Sequence, residues 1–222
     1  MVELIIFDMA GTSINEENIV YRTITDSLKN KGYDVSLEQV LLYGAGKEKR
    51  QAITDVLANC SYTPDDKDID LVHSEFKINL IKAYENAPLE VFPSVSDFIR
   101  RVRKNGVKIA FNTGYKRDLA LSILTRVGYS IGSDIDLLVA ADDVENGRPH
   151  PDMILKICGI LDIAPERAVK IGDSAIDIEE GKSAKVGLTI GITTGAQTRA
   201  QLSMACPDHI IDDVKELDSI LK

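Results

Sequence analysis

Several residues that could do chemistry lie at the ends of short apolar runs in the sequence or in the loops that follow them. These are Asp8 after LIIF, Thr113 in FNTG, Arg148 in NGRPHP, and Asp173 and Asp177 in GDSAID. Three carboxylates brought together repel one another and raise one another's pKa unless a cation joins them. Oxygen ligands without a histidine or cysteine cluster favour Mg²⁺ over zinc. A carboxylate beside Mg²⁺, a hydroxyl and an arginine predicts a phosphoryl site, in which Asp8 could attack phosphorus and form an aspartyl phosphate.

The apolar runs that precede these residues predict the strands of a parallel sheet. Each is rich in Val, Ile or Leu and lacks the alternation typical of a half-exposed strand. Helical spacing between them, at 94–105, 116–127 and 151–161, predicts an α/β fold, a Rossmann-like parallel sheet with helices on both faces. Ligands of such sheets bind at the carboxyl ends of the strands, where the candidate residues fall. The predicted strands are 2–7, 107–113, 136–141, 168–173 and 188–193.

The segment between the first strand and the rest of the sheet has a different pattern. Residues 15–87 contain no convincing strand, and helical patterns cover 18–31, 36–42, 49–59 and 68–84. A helical block of this size inside an α/β pattern predicts an inserted all-helical cap domain. We therefore expect a discontinuous catalytic core, formed by residues 1–14 and 88–222, and a cap at 15–87.

Composition narrows the classes of partner. The chain has 222 residues and a formal net charge of −9, which disfavours nucleic acid and anionic membranes because both need a basic field. No apolar run approaches the roughly 18 residues of a membrane span. The first apolar run ends in an aspartate, and the three cysteines are widely spaced, so we expect a cytoplasmic protein without a disulfide framework. The oligomeric state, monomer or homodimer, stays open.

Four segments in order resemble the haloacid dehalogenase superfamily of hydrolases over essentially the whole chain. They are DMAGT, FNTG, GRPHPD and GDSAIDIEEG. The resemblance implies Asp8 as nucleophile, Thr113 as phosphoryl-binding hydroxyl and Arg148 as the cation that orients nucleophile and phosphate. It implies Mg²⁺ held by Asp8, the Ala10 carbonyl oxygen and Asp173, with Asp177 supporting the metal shell. The turns of the same segments supply the candidate substrate-binding residues Gly11, Thr12 and Gly114.

Ala10 departs from most phosphatases of that superfamily, which have a second aspartate at this place as general acid and base. Loss of such a group typically lowers the rate about 10²- to 10⁴-fold. The branch that resembles phosphonoacetaldehyde hydrolase has alanine here, within a D-x-A-G-T-T segment similar to DMAGTS. In that branch a cap lysine forms a Schiff base with the aldehyde, and the iminium accepts the electrons of the carbon–phosphorus bond. The segment GAGKEKRQAI offers Lys47 and Lys49, of which we favour Lys49, beside a candidate substrate-binding turn at Gly46 and Lys47.

The leading hypothesis is a Mg²⁺-dependent, phosphonatase-like hydrolase of a small phosphorylated or phosphonylated metabolite. A first alternative is a true phosphonoacetaldehyde hydrolase that uses Lys49. A phosphatase that works without the second aspartate is another, with water or a cap residue supplying the proton. A catalytically silent phosphate sensor also stays open, because the acid/base carboxylate is missing at Ala10.

Overall fold

The computed structural model describes residues 2–221, apart from the side chain of Asn86. Among these residues, six parallel strands form a single sheet in the order β5-β4-β1-β6-β7-β8, and β2 pairs with β3 in a separate antiparallel ribbon. The α/β fold predicted from the sequence is thereby confirmed. The strands are β1 Leu4–Asp8, β2 Ile14–Asn15, β3 Glu90–Val91, β4 Lys108–Thr113, β5 Leu137–Ala140, β6 Ala168–Gly172, β7 Leu188–Ile192 and β8 His209–Ile211.

β1 lies in the middle of the sheet, and all five of its residues are buried. Side chains of successive strand residues point to opposite faces, so Leu4 and Ile6 share one face and Ile5 and Phe7 the other. Leu4 and Ile6 join a buried cluster with residues of the helix at 152–161. Phe7 meets the ring of Phe98, in the helix at 93–104, at 6.3 Å between centroids. Helices therefore cover both faces, which explains why β1 is apolar throughout until Asp8.

Within residues 2–221, six α-helices belong to the same unit as the sheet. The amphipathic helix α5 begins at a proline, whose missing N–H and fixed φ suit the first helical position, and ends in a basic turn that complements the helix dipole. The sheet helices are α5 Pro93–Lys104, α6 Arg117–Arg126, α7 Asp152–Leu161, α8 Ala175–Ser183, α9 Arg199–Met204 and α10 Leu217–Ile220.

The remaining four helices form a separate compact unit. The chain divides into one unit of Met1–Asn15 with Leu89–Lys222 and a second unit of Glu16–Pro88. Ser36 begins one helix with a reciprocal capping box with Gln39, and the side chain of Asp65 accepts from the Asp68 N–H at the start of another. That the helical unit acts as a cap stays a prediction. Its helices are α1 Ile19–Asn30, α2 Leu37–Gly44, α3 Lys49–Asn59 and α4 Asp66–Asn86.

Short elements were the ones that the sequence patterns did not predict. The edge strand β8 has three residues, and each strand of the β2–β3 ribbon has two. Segments of this length contain too few residues to show a period of two, and β8 exists because it completes the sheet beside β7. No helix within the described part of the chain is long and apolar enough to cross a membrane.

Candidate active site

Asp8 ends β1 opposite Asn112 of β4 and is buried. The chain then folds into a tight turn, in which the N–H groups of Ser13 and Ile14 both donate to the Met9 carbonyl. The Ser13 hydroxyl donates to the Asp8 carbonyl at 2.9 Å, which fixes the strand end. The turn therefore places the Asp8 carboxylate at the carboxyl edge of the sheet, where parallel α/β folds bind ligands.

Asp173 and Asp177 lie at the same edge, after β6 and in the first turn of α8. Together with Asp8 they can each offer one oxygen within 4.8 Å of the others. Asp173 Oδ2 accepts the Ala196 N–H at 2.6 Å, and Asp177 Oδ2 accepts the Ser174 hydroxyl at 2.6 Å. The structure thus brings together the three acids that the sequence predicts as one cluster.

Two glycines make room for Asp173. A Cβ atom at Gly195 would lie 2.0 Å from Asp173 Oδ2, and one at Gly11 would lie 2.5 Å from the same oxygen. Gly11 also has φ +75°, a conformation that side-chain-bearing residues rarely adopt. Gly11 is therefore explained by the close approach of Asp173, while a role in substrate binding stays a prediction.

Arg148 reaches the cluster from the loop after β5. Its Nη1 donates to Asp8 Oδ1 at 2.7 Å and lies 3.0 Å from Asp177 Oδ1. Asp177 Oδ1 nonetheless lacks a hydrogen bond of good geometry within the described residues, so we regard the second contact as an ion pair only. Asp8 and Arg148, separated by 140 positions, form the direct ion pair that the prediction of an orienting cation requires.

A second layer of buried charge, which the sequence patterns did not predict, lies beneath the acids. Lys170 is 0% exposed and donates to Asn112 Oδ1 at 2.7 Å, with Asp177 Oδ1 at 2.9 Å. Glu180, also 0% exposed, accepts from Arg148 Nε at 2.9 Å. A lysine in the middle of the apolar run AVKIG was the available signal, because a buried lysine requires a partner.

The buried charges do not balance. Four carboxylates, those of Asp8, Asp173, Asp177 and Glu180, face the two cations Arg148 and Lys170, which leaves an excess of 4 − 2 = 2 negative charges if all are ionised. Burial, together with Asp8 and Asp177, raises the pKa of Asp173 well above the ordinary value. Burial also raises the pKa of Asp8 against the opposing effect of Arg148. Without a further cation, protons must neutralise this excess.

One divalent cation would remove the excess, and oxygens remain to bind it. Asp8 Oδ2 and Asp173 Oδ1 accept no hydrogen bond from another side chain among the described residues, whereas Asp8 Oδ1 and Asp173 Oδ2 are engaged. Burial alone would raise the pKa of Asp177, but Arg148 and Lys170 outweigh it and lower that pKa. The oxygen-only donor set fits Mg²⁺, with Asp8 and Asp173 as the open ligands and Asp177 as a supporting charge.

We predict that Mg²⁺ stabilises the protein more at pH 8 than at pH 5. A raised folded-state pKa means that the native state binds more protons than the unfolded chain, so stability from Asp8 and Asp173 falls as pH rises through their folded pKa values. Mg²⁺ replaces those protons, and its effect therefore grows with pH. Thermal unfolding with Mg²⁺ or with EDTA measures the difference. A shift that is equal at both pH values, or one retained by Asp173→Asn, would contradict the assignment.

The other predicted residues of the sheet unit lie in the turn after Asp8 and at the end of β4. Thr113 ends β4, is 2% exposed, and its hydroxyl oxygen accepts the Tyr115 N–H at 3.2 Å. Gly114 has open space where a side chain would project, so packing does not explain this glycine. The Thr12 hydroxyl is buried without a hydrogen-bond partner in the described structure, and Ala10 forms a bridge with Ile14. Their roles stay predictions.

The predicted lysines lie in the helical unit, at the start of α3. Lys47 forms an ion pair with Asp55. Lys49 Nζ donates to the Lys47 carbonyl at 3.0 Å and lies 5.5 Å from the centre of the Tyr21 ring. The Tyr21 hydroxyl also accepts the Gly46 N–H at 3.0 Å. Tyr21, which the sequence patterns did not indicate, therefore organises this turn from α1.

Two of the sequence relatives represent two different named activities. A bifunctional phosphonoacetaldehyde hydrolase/aminoethylphosphonate transaminase from Clostridioides difficile (strain 630) is 28% identical over 195 residues, covering 82% of this chain. The match spans only 30% of that bifunctional protein. The pyrophosphatase PpaX from Bacillus mycoides (strain KBAB4) is 25% identical over 229 residues, which cover 99% of this chain and 97% of the relative.

A solved structure and a family sequence profile also match this chain. A crystal structure of a candidate phosphoglycolate phosphatase from Lactobacillus delbrueckii subsp. bulgaricus superposes with a TM-score of 0.86. It is 19% identical and the match covers 99% of this chain and 98% of that one, a level of identity that shows the fold alone. The sequence profile of haloacid dehalogenase-like hydrolases matches residues 5–190. The predicted family and enzyme class are thus confirmed: the chain belongs to the haloacid dehalogenase-like hydrolases.

Proposed function

We propose that the protein is a Mg²⁺-dependent phosphohydrolase, phosphonatase-like, that cleaves a small phosphorylated or phosphonylated metabolite through an aspartyl phosphate on Asp8. The observation that carries this proposal is the buried group of Asp8, Asp173 and Asp177 with Arg148 bound to Asp8 at 2.7 Å. Its two uncompensated negative charges call for a divalent cation. When bound, Mg²⁺ would supply Lewis-acid stabilisation of the phosphoryl oxygens.

Asp8 and the residues around it have different roles in the proposed reaction. Arg148 holds Asp8 Oδ1 and so fixes the orientation of the carboxylate that attacks phosphorus and forms the new oxygen–phosphorus bond. The leaving group departs with the electrons of the cleaved bond, and Thr113, at the next strand end, would donate to a phosphoryl oxygen. Water then attacks the phosphorus, releases phosphate and restores the Asp8 carboxylate. Ala10 supplies no proton at any step.

The alternative activity is that of a true phosphonoacetaldehyde hydrolase. Two observations favour it: alanine stands at position 10, and a relative carries this activity in its name. A lysine of α3 or its preceding turn, Lys49 or Lys47, would condense with the aldehyde and lose water to form an iminium. Attack by Asp8 on phosphorus then breaks the carbon–phosphorus bond, and its electron pair moves to the iminium to give an enamine. Protonation and hydrolysis of the enamine release acetaldehyde and the lysine, and water then hydrolyses the aspartyl phosphate to phosphate and the free Asp8 carboxylate.

We predict Mg²⁺-dependent release of phosphate in a screen of phosphonoacetaldehyde, pyrophosphate and a set of phosphate monoesters. Pyrophosphate is included because a relative is a pyrophosphatase by name. With phosphonoacetaldehyde, borohydride reduction followed by mass spectrometry locates any imine on Lys49 or on Lys47. Lys49→Arg and Lys47→Arg form a matched pair, because each retains the positive charge and removes the amine that forms the imine.

The outcomes separate the alternatives. A borohydride adduct that is lost only in Lys49→Arg supports the phosphonate activity with Lys49, and one lost only in Lys47→Arg assigns the lysine differently. Turnover of phosphate esters without an adduct supports a phosphatase that works without a second aspartate. Phosphate binding without turnover of any substrate would favour the silent phosphate sensor and contradict the proposed hydrolysis.

A further inference from the structure

Arg148 is held mainly by residues other than Asp8. Its Nε donates to Glu180 Oε2 at 2.9 Å, and its Nη2 donates to the backbone and side-chain oxygens of Asn112 at 3.0 and 2.9 Å. The remaining hydrogen bond runs from Nη1 to Asp8 Oδ1. A planar guanidinium bound through all three nitrogens has one orientation, which a lysine could not reproduce.

The Asn112 side chain is itself fixed in one orientation. Its Nδ2 donates to both Glu180 carboxylate oxygens, at 2.9 and 3.0 Å. Its Oδ1 accepts from Arg148 Nη2 and from Lys170 Nζ. A flipped amide would turn its NH₂ group towards two cationic donors and its oxygen towards a carboxylate, so only the observed orientation satisfies every group.

We propose that Glu180 is a positioning residue which, together with Asn112, orients the Arg148 guanidinium against Asp8. Arg148 then fixes the orientation of the Asp8 carboxylate for attack on phosphorus, an inference that rests on the proposed function. Within the described structure Glu180 makes hydrogen bonds only to Asn112 and Arg148, and its Oε2 also lies 3.6 Å from Lys170 Nζ. Of these three partners, Arg148 is the one that donates a hydrogen bond to Asp8, so the effect of Glu180 on Asp8 is transmitted through the arginine.

Glu180→Gln changes this arrangement with little change in volume. One of the two oxygens becomes an NH₂ group, and Asn112 Nδ2 donates to both of them in the native protein. The new NH₂ group of the glutamine then faces the NH₂ group of Asn112, so two hydrogen-bond donors meet. The Asn112 amide cannot flip to relieve this, because its oxygen accepts from Arg148 and Lys170. The guanidinium consequently loses its fixed orientation, although its charge and the three aspartates remain.

We predict that Glu180→Gln lowers kcat about 100-fold and changes KM by less than about threefold, since misplacement of a catalytic group by about 1 Å has effects of that size. Arg148→Lys keeps the charge and should lower kcat to a similar extent. The double variant Arg148→Lys with Glu180→Gln should resemble Arg148→Lys alone, because the second change acts through the arginine. The neighbouring exposed residue provides the matched control, Glu179→Gln.

Two results would overturn the positioning role: Glu180→Gln with wild-type kcat, or single effects that multiply in the double variant. Arginine side-chain NMR adds a test without substrate, with the Arg148 resonances identified by their loss in Arg148→Lys. Resolved, slowly exchanging Arg148 signals should be present in the wild type and Glu179→Gln and averaged in Glu180→Gln. Signals that persist in Glu180→Gln refute the inference. Failure of the wild type to turn over any substrate would instead refute the proposed function.

Discussion

Asp8→Asn is expected to abolish turnover of every substrate, with a loss of about 10⁴-fold or more, as for removal of an enzymatic nucleophile. An amide oxygen does not attack phosphorus as a carboxylate does, and the variant also loses the ion pair with Arg148. Phosphate release in the presence of Mg²⁺ measures the effect. Isotope-free mass spectrometry of acid-quenched enzyme should show a phosphoryl adduct in the wild type and none in the variant.

Asp8→Asn should not lower the stability of the folded protein, although it abolishes activity. Burial raises the pKa of Asp8, so its ionised form opposes folding at neutral pH when no cation is bound. The neutral amide removes that penalty, and we expect a melting temperature in EDTA at or above that of the wild type. The exposed Asp97, which pairs only with Arg100 in the described structure, provides the control Asp97→Asn with unchanged activity. Retained turnover in Asp8→Asn would reject the nucleophile.

The sheet and the acidic cluster were predictable because both depend on local patterns. Apolar runs such as LIIF mark strands buried on both faces, and a charged residue directly after such a run marks the strand end. Parallel strands then bring Asp8, Thr113 and Asp173 to one edge, whatever lies between them in sequence. The position of these residues therefore follows from the topology alone.

The second layer of charge could not be predicted in the same way. The roles of Lys170 and Glu180 depend on hydrogen bonds with Asn112 and Arg148. The partners in these hydrogen bonds lie 32 to 68 positions apart in the sequence. Helical periodicity does not distinguish Glu180 from its neighbour Glu179, although one is buried and the other exposed. Which buried charges pair with one another is decided by the assembled core, and the local signal for this layer was the lysine inside the apolar run AVKIG.

The charge environment of Asp177, in the segment GDSAID, could not be predicted from the sequence either. The family resemblance implied that Asp177 supports the metal shell, which stays a prediction, and its carboxylate contacts Ser174, Arg148 and Lys170. Those cations lower the pKa of Asp177, while burial and the other acids raise that of Asp173. The two aspartates of GDSAID thus differ in charge environment, and the difference arises from strands and loops distant in sequence.

Among the single variants proposed, Lys170→Met should lower the free energy of unfolding the most. The substitution retains most of the side-chain volume but removes one of the two cations among four buried carboxylates, so Asp177 and Glu180 depend on Arg148 alone. Breaking a buried ion pair from one side typically destabilises a protein by about 3–5 kcal/mol. Since total stabilities are about 5–15 kcal/mol, urea unfolding should show a large fall in midpoint.

The companion variants test whether charge, rather than packing, is responsible. Lys170→Met with Glu180→Gln removes one cation and one anion, and it should recover part of the lost stability because the excess negative charge returns to 2. Mg²⁺ should likewise stabilise Lys170→Met more than the wild type. The exposed Lys104 supplies the control, and Lys104→Met should change the free energy of unfolding by no more than about 0.5 kcal/mol. If Lys170→Met falls within about 1 kcal/mol of the wild type, the buried lysine does not hold the carboxylates together, because the pairing argument requires a larger loss.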